Sequence, residues 1–569
     1  MKKRGAKLCA LMMAAVMALT ACGGSSNSGS STTAAGGSQG AAAETSAAVP
    51  PENAPEAEIP EGESVSQEQD IVAAVRVDIT TMDPMDTSDT LSGGIQRMVM
   101  DGLFGFDDDM KIFPMLATEY EANEEATEYT FKLREGISFT DGTPWNADAA
   151  IANFEKWADK DLGLKRTTLL CNVLDHFEKI DDYTVKVYLS EPFGAFIATL
   201  AHPACVMMSP VQIAAGPETC ALDPVGTGQY TFGEWVEGDH VTLNLNKDWW
   251  GYDADLCGGT ALAASDAGFK SVTFRPVAED ATRIAMIQSG DAQIIWPAPT
   301  ESVELLRQDP NVNVQDKESI TVWYMTLNTQ KPPLNDVRVR QAMNYAINKE
   351  AYIQVVMNGQ GSLATSCMGP AVQHYKGNDP YPYDVEKAKE LLTEAGYPDG
   401  FTVTLTYANT SANQKKAEFY KQQLSEVGIN LELNGMENAV MNEAIQGATG
   451  PGSDVMVECY LTGWSTSTGD ADWALRPLLA TESEPPLSYN TSYYENEEFD
   501  QLLQEALQTA DETKRAEAYA KAQDIMWEDV PMICVANDFN TWVTSKNIAG
   551  VKLYPDQAIN MKNARMAAK

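Results

Sequence analysis

The chain has 569 residues, and its 81 acidic against 40 basic side chains give a formal net charge of −41 at pH 7. This acidic excess argues strongly against nucleic-acid binding, because phosphate backbones are bound by basic surfaces. About 500 residues follow position 67. That length exceeds one hydrophobic core and predicts two or three domains.

The first 21 residues are typical of a secretory leader. Four basic residues precede an apolar run at 8–19 that is too short to span a bilayer. The small residues before Cys22 resemble the lipobox of bacterial lipoproteins. This resemblance implies that residues 1–21 are removed, that Cys22 carries the lipid, and that the protein is anchored outside the cytoplasm. An ordinary secretory signal with a chance cysteine is the alternative.

Residues 22–67 predict a flexible tether. The segment after Cys22 consists of Gly, Ser, Ala, Thr, Glu and Pro with almost no large apolar residue, so it buries too little surface to become ordered. Seven cysteines remain after the leader and Cys22, and their spacing matches no zinc pattern. Cys205 and Cys220 lie close enough for a disulfide, although the sequence favours no particular bridge.

Strands and helices alternate along the remaining chain. Apolar runs or period-two patterns predict strands at 71–77, 127–133, 183–189, 229–235 and 240–246. A helix is expected from Asn146 to Trp157, and a strand–helix–strand order follows between the 270s and 320s, with the helix centred on Thr282 to Gln288.

The clearest helix is predicted over 337–357, with a cap at Asp336 and an end at Gly359. Later elements comprise helices at 384–395, 412–427, 496–509 and 513–528 and strands at 429–433 and 530–536. The alternation predicts a mixed α/β fold of lobes around a cleft, where small-molecule sites usually lie.

The one match to a catalytic motif, G-x-S-x-G at 36–40, lies in the predicted tether without the strand and helix that this motif requires. The chain lacks an HExxH sequence and a phosphate-binding P-loop, and its four histidines are scattered. We therefore expect neither enzyme activity nor a cofactor or metal, and any ATP hydrolysis must belong to another subunit.

Collinear segments from about residue 70 to the C-terminus resemble the family 5 solute-binding proteins of the peptide, nickel and oligopeptide type. They include YTFKLREGISFTDGTPWNADAA, PVGTGQYTFGEWVEGDHVTLNLNKDWWG and TLNTQKPPLNDVRVRQAMNYAINKEA. The resemblance implies a two-lobe periplasmic-binding-protein-like fold (type II) with a hinge. It assigns lobe I to 68–110, 222–322 and 534–569, an inserted subdomain to 111–221, and lobe II to 323–533. A monomer that delivers its ligand to an ABC permease and ATPase is also implied.

Within the family, the segments MDPMDTSDTLS, LAHPACVMMSP and GWSTSTGDADWALRPLLATES are most similar to those of glutathione-binding members. The resemblance therefore implies capture of a short peptide, with glutathione as the best candidate and a dipeptide or oligopeptide as the next. A nickel chelate, an oligosaccharide or a role in surface peptide sensing remain alternatives, because one scaffold hosts many sites.

A peptide ligand requires partners for its ammonium, carboxylate and amide groups. The segment 463–473 supplies hydroxyls, acids and aromatic rings, and its candidate ligand contacts are Trp464, Ser465, Thr466, Ser467, Thr468, Asp470 and Asp472. In dipeptide-binding and oligopeptide-binding relatives, an aspartate three residues after the tryptophan pairs with the peptide amine. Ser467 replaces it here, which fits a γ-glutamyl ligand better. The alternative is an ordered loop whose acids cap a following helix.

Other candidates lie elsewhere in the chain. Asp89 and Thr90 occupy a loop that the family places at the cleft, although Asp89 can instead cap a helix. Arg166, beside Lys165, can bind a carboxylate or form part of a solvated surface pair. Tyr324 follows Trp323 where the chain should cross between lobes, and it can contact ligand or pack the hinge. Further candidates are Arg275 and Arg283, whereas the acids at 107–109 indicate a turn rather than a calcium site.

Overall fold

The computed structural model describes residue 53, residues 55–446 and residues 457–568. The predicted leader 1–21, the lipidation site Cys22 and most of the tether lie outside these residues. Within them, no helix has both the length and the hydropathy that a bilayer crossing requires.

The strands are short, apart from two long ones near the middle and end of the chain. In order they are β1 Asp70–Val75, β2 Phe104–Phe106, β3 Ile112–Pro114, β4 Ala117–Ala122, β5 Glu128–Leu133, β6 Leu174–Asp181, β7 Thr184–Leu189, β8 Tyr230–Val236, β9 His240–Leu245, β10 Ser271–Pro276, β11 Ile294–Trp296, β12 Val312–Leu327, β13 Gly361–Leu363, β14 Thr402–Ala408, β15 Asn430–Met436, β16 Cys459–Ser465, β17 Met532–Ser545, β18 Ile548–Ala549, β19 Lys552–Leu553, β20 Ile559–Asn560 and β21 Arg565–Met566.

The helices fall mainly between these strands. They are α1 Thr90–Val99, α2 Ala147–Ala158, α3 Phe196–Ala201, α4 Pro210–Ala215, α5 Pro217–Leu222, α6 Asp280–Ser289, α7 Val303–Arg307, α8 Val337–Tyr345, α9 Lys349–Val355, α10 Val385–Glu394, α11 Ser411–Ser425, α12 Asn438–Gln446, α13 Asp472–Leu479, α14 Glu497–Leu507 and α15 Glu512–Asp529. The predicted α/β alternation is confirmed.

One mixed sheet of eleven strands organises the fold. Its order is β15-β14-β16-β12-β17-β11-β1-β10-β9-β8, with β13 also paired to β17. Parallel pairing joins β1 to β10 and β11, and β14 to β15 and β16, whereas β12 and β17 are antiparallel to their neighbours. A separate antiparallel sheet, β4-β5-β7-β6, lies within the segment predicted as the inserted subdomain.

The long strands β12 and β17 lie side by side in the middle of the main sheet and link its two halves. The first part of β12 pairs with β17 at Val312 to Glu318, and the pairing resumes at Val322 after a register shift. Beyond this shift β12 also pairs with β16. The shift lies beside the predicted lobe boundary at 322/323, and the boundaries themselves remain a prediction.

The prediction of one continuous helix over 337–357 is wrong. Two helices, α8 and α9, replace it, and Asn348 begins the second by accepting a hydrogen bond from the Ala351 N–H at 2.8 Å. An asparagine favours this capping position over a helix interior. The predicted cap at Asp336 is confirmed, since its side chain accepts from the Arg338 N–H.

The predicted tether over 22–67 extends too far toward the C-terminus. The Asn53 side chain donates to the Asp316 carbonyl at 3.0 Å and accepts from its N–H at 2.7 Å. Ile59 is only 6% exposed, and Ser64 forms an isolated antiparallel β-bridge with Ala567, directly after β21. A few hydrogen-bonding or apolar side chains therefore attach this segment to the folded domain. Composition alone does not reveal that attachment.

The seven described cysteines are all free thiols. Cys205 and Cys220 are buried separately, and the Cys220 thiol contacts the Gln212 carbonyl at 3.5 Å. The disulfide that their spacing allows does not form. The turn predicted at 107–109 is confirmed between β2 and β3, where Asp107 accepts hydrogen bonds from two backbone N–H groups.

A buried ion pair fixes the segment that leads to α1. Lys156 of α2 lies 2.7 Å from Asp83, and the two side chains are 6% and 3% exposed. The substitution Lys156→Met should lower the free energy of unfolding by about 3–5 kcal/mol, because it leaves a buried carboxylate without its partner. Urea denaturation measures this change.

A pair of similar length provides the matched control. Lys270 lies 2.8 Å from Asp70, but both side chains are more than half exposed, at 58% and 59%. The substitution Lys270→Met should therefore change stability by less than about 1 kcal/mol. Equal losses for the two variants would contradict the argument from burial.

Candidate ligand-binding site

A cavity of about 410 Å³ brings together six of the predicted site residues. Its walls come from the start of α1, the segment 165–169, the segment 202–204 and the loop that follows β16. The predicted residues on these walls are Asp89, Thr90, Arg166, Trp464, Ser465 and Ser467. Whether they contact a ligand stays a prediction.

The start of α1 forms one wall. Asp89 caps this helix, accepting hydrogen bonds from the Ser92 N–H at 2.8 Å and the Ser92 hydroxyl at 2.9 Å. Thr90 is the first helical residue, and Gly93 and Gly94 continue the wall. The two interpretations of Asp89 are therefore compatible, because a capping carboxylate also lies at the cavity.

Arg166 carries positive charge into the cavity wall. Its guanidinium donates to the carbonyls of Thr87 at 3.1 Å and Ser88 at 3.4 Å. Among the described residues, no carboxylate lies within ion-pair distance of this guanidinium. Burial lowers the pKa of Arg166, while Tyr489 and Asp89 act to raise it. The guanidinium is held in place but not neutralised.

Two further cations line the same cavity. Arg97 pairs with Asp556 at 2.7 Å, whereas Lys165 lies 3.9 Å from Asp86 in an exposed position. The walls therefore carry Arg97, Lys165 and Arg166 against the acids Asp89 and Asp556. A positive balance in so acidic a chain favours an anionic ligand.

His202 and Ser467 meet across the cavity wall, with 3.1 Å between Nε2 and the hydroxyl oxygen. His202 is 4% exposed, and its Nδ1 accepts a hydrogen bond from the Ala204 N–H at 3.0 Å. Burial, and then the charges of Arg166 and Arg97, lower the pKa of His202 well below its usual value. Sequence reasoning missed this residue, although it lies in the segment LAHPACVMMSP.

Aromatic rings form another part of the cavity wall. The Trp464 ring lies 5.9 Å from that of Trp473 and 5.3 Å from that of Tyr489. The Trp464 indole donates to the Trp473 carbonyl at 2.8 Å. Such rings provide apolar contact for the uncharged parts of a ligand.

The other predicted residues of this loop do not line the cavity. Thr466, Thr468, Asp470 and Asp472 are at most 3% exposed. Asp470 pairs with Arg515 at 2.7 Å, and Asp472 binds Arg476 through two hydrogen bonds of 2.8 and 2.6 Å. Asp472 is the first residue of α13 rather than its cap, and its N–H donates to the Asp470 side chain at 2.9 Å. Through these ion pairs the two acids stabilise the loop without lining the cavity.

The remaining candidates also lie away from this cavity. Tyr324 is 1% exposed in the core, between β16 and β17, so the packing interpretation fits its position better. Arg283 is buried and binds Asp280 and the Val277 carbonyl, while Arg275 is exposed on β10.

A larger cavity of about 1060 Å³ is lined by Gln373, Glu512 and Arg515, among others. Its buried arginine is already neutralised, because Arg515 pairs with both Asp470 and Glu512. The smaller cavity is the better candidate for an anionic ligand, since it alone contains Arg166. Among the described residues, no group of three His, Cys, Asp or Glu side chains is arranged to hold a metal ion.

Residues 111–485 match the model of the bacterial extracellular solute-binding proteins, family 5. The glutathione-binding protein GsiB of Escherichia coli strain K12 is 39% identical over 497 residues, which cover 87% of this chain and 94% of that protein. The chain belongs to family 5 of the bacterial extracellular solute-binding proteins.

Solved structures agree with this assignment. HbpA2 from Haemophilus parasuis matches this family 5 protein with a TM-score of 0.75 at 27% identity, covering 87% of this chain and 100% of that one. DppA from Helicobacter pylori, in complex with the peptide STSA, matches with a TM-score of 0.68 at 26% identity, covering 88% and 98%. The predicted two-lobe α/β fold is confirmed, and the family acts outside the cytoplasm.

The buried His202 predicts a pH dependence of stability. Its pKa is depressed in the folded protein, whereas in the unfolded chain it is near 6.5. Below about pH 6.5 the unfolded chain therefore binds a proton that the folded chain does not, and stability falls as pH falls, by about 1.4 kcal/mol per pH unit. Between pH 7 and pH 5 this contribution reaches about 2 kcal/mol.

The substitution His202→Gln should remove that contribution. The stability difference between the native chain and the variant, measured by urea denaturation, should shift by about 2 kcal/mol in favour of the variant on going from pH 7 to pH 5. A difference that stays constant over this range would show that His202 is not the titrating group.

Proposed function

We propose that this protein is the extracytoplasmic receptor of an ABC importer and that it captures glutathione, or a closely related short peptide, in the 410 Å³ cavity. The observation that carries the proposal is Arg166, a partly buried guanidinium whose only described partners are carbonyl oxygens. An arginine held in this way is ready to bind a carboxylate.

The ligand's chemistry fits the walls. Glutathione has two carboxylates and one ammonium, so it needs more positive than negative charge around it. Arg166, Arg97 and Lys165 provide the positive charge, and the acids on the walls are Asp89, which caps α1, and Asp556, which pairs with Arg97. The rings of Trp464 and Tyr489 cover the peptide's uncharged middle. The 39% identity to proteins named glutathione-binding supports this choice.

The proposed mechanism is binding without chemistry. The two lobes open to admit the ligand, and ligand contacts to both sides favour the closed form by their difference in affinity. The closed monomer then docks on a permease, whose ATPase subunit drives import. The lipid on Cys22 keeps the receptor at the membrane that holds this permease.

The substitution Arg166→Met tests the site. It should weaken glutathione binding about 10- to 100-fold, because a hydrogen bond to a charged group contributes about 1.5–3 kcal/mol. Isothermal titration calorimetry measures the affinity. Arg275→Met is the matched control, since Arg275 is exposed on β10 and does not line the cavity, and it should leave the affinity unchanged.

The same titration compares ligands. Glutathione should bind more tightly than the dipeptide Ala-Ala or the tetrapeptide Ser-Thr-Ser-Ala. Tighter binding of either peptide would transfer the assignment to dipeptides or oligopeptides, for which the DppA complex with STSA is the precedent. Failure of all three to bind would reject the peptide class and leave a nickel chelate or an oligosaccharide to be tested.

Anchoring is tested separately. Cys22→Ala in the full chain should abolish incorporation of radiolabelled palmitate and release the protein from the membrane fraction. Cys9→Ala is the control, because Cys9 lies in the leader and should not carry lipid. Retained labelling of the Cys22→Ala variant would reject lipidation at this residue.

A further inference from the structure

The hydrogen bond between His202 and Ser467 has a defined direction. Nδ1 of His202 accepts from the Ala204 N–H at 3.0 Å, so this nitrogen carries no proton. The other ring nitrogen, Nε2, must therefore carry the proton of the neutral ring. Because Nε2 lies 3.1 Å from the Ser467 hydroxyl oxygen, it is the donor and Ser467 is the acceptor.

The surroundings of His202 maintain this arrangement. The ring is 4% exposed, and the positive charges of Arg166 and Arg97 oppose a second proton on it. A doubly protonated ring would also lose the bond from Ala204, since Nδ1 would become a donor. The histidine therefore presents a fixed N–H to Ser467.

The direction of this bond determines what Ser467 offers to the cavity. A serine hydroxyl has one proton to donate and two lone pairs to accept with. One lone pair is occupied by His202, and no acceptor for the hydroxyl proton is found among the residues that the structure describes. Ser467 lines the cavity, so its O–H is available as a donor there.

A second donor lies on the same cavity. Arg166 uses Nε and Nη2 for the carbonyls of Thr87 and Ser88, which leaves Nη1 without a described partner. A neutral O–H and a cationic N–H match the two acceptor oxygens of a carboxylate. The same pair disfavours an ammonium group, which has only protons to offer.

We propose that His202 is a positioning residue that holds Ser467 as a hydrogen-bond donor, and that Ser467 and Arg166 together receive a carboxylate of the ligand. This inference rests on the proposed function, because it assumes a peptide ligand in this cavity. It adds the orientation of the ligand, with a carboxylate rather than the ammonium at Ser467.

The binding test uses the mature chain, glutathione and isothermal titration calorimetry. Ser467→Ala should weaken binding at least tenfold, and Ser467→Asp at least a hundredfold, because its carboxylate would face the ligand's carboxylate. His202→Leu should match the loss of Ser467→Ala, and the double variant should lose no more than either single one. His202→Gln, whose amide also donates, should bind within threefold of the native chain.

Ligand analogues identify the group that is bound. In one of the two glutathione monoamides, each with a different carboxylate replaced, the effect of Ser467→Ala should disappear. In N-acetylglutathione it should persist in full. Loss of the effect with the acetylated amine, or stronger binding by Ser467→Asp, would overturn the inference.

Two controls keep the outcomes separate. Nitrogen-15 spectra of histidine-labelled protein should show a proton on Nε2 of His202 at pH 7, assigned by its absence in His202→Gln, and a proton on Nδ1 would overturn the inference without any ligand. If the native chain binds no glutathione, the proposed function fails and the inference with it. If it binds, but folded Ser467→Ala binds equally well, the inference alone fails.

Discussion

The pairing of β12 with β17 is the constraint on which the rest of the structure depends. These two strands of 16 and 14 residues run through the middle of the main sheet and connect its two ends. β12 also pairs with β16, which leads directly into the loop that contains Ser467. β17 precedes the segment that brings Asp556 to the same cavity. A slip of one residue would reverse every side chain between the faces and separate these walls.

The cations of this structure differ in how their charge is balanced. Three of the seven buried cations in the described part of the chain, Lys156, Arg283 and Arg515, pair with a carboxylate. Arg166, like the buried Arg340, is oriented by carbonyl dipoles that do not cancel its charge, but Arg166 lines the 410 Å³ cavity. The carbonyls that bind Arg166 belong to the residues just before α1, whose cap is Asp89. The helix start and the guanidinium are thus positioned by one short segment, before any ligand arrives.

The loop after β16 shows how one motif divides its side chains between two tasks. Asp470 and Asp472 point away from the cavity into ion pairs with Arg515 and Arg476, while Ser465 and Ser467 line it. The sequence motif predicted a role in binding for all of these residues, because hydroxyls and acids are equally suited to a peptide. Which of them lines the cavity depends on the ion-pair partners that α13 and α15 supply.

The sequence by itself determined the α/β alternation, the bounds of α10, α14 and α15 to within two residues and the resemblance to a binding-protein family, because periodicity and caps act within a few neighbouring residues. The sequence also identified Arg166 and the motif around Trp464 as candidate site residues. The break at Asn348 has a local cause in the cap that this side chain gives to the Ala351 N–H. Only the tertiary structure decided the attachment of Ile59 and the direction of the His202–Ser467 bond. These outcomes depend on contacts between distant parts of the chain, 265 residues apart for His202 and Ser467, and no local pattern specifies which distant side chains will meet.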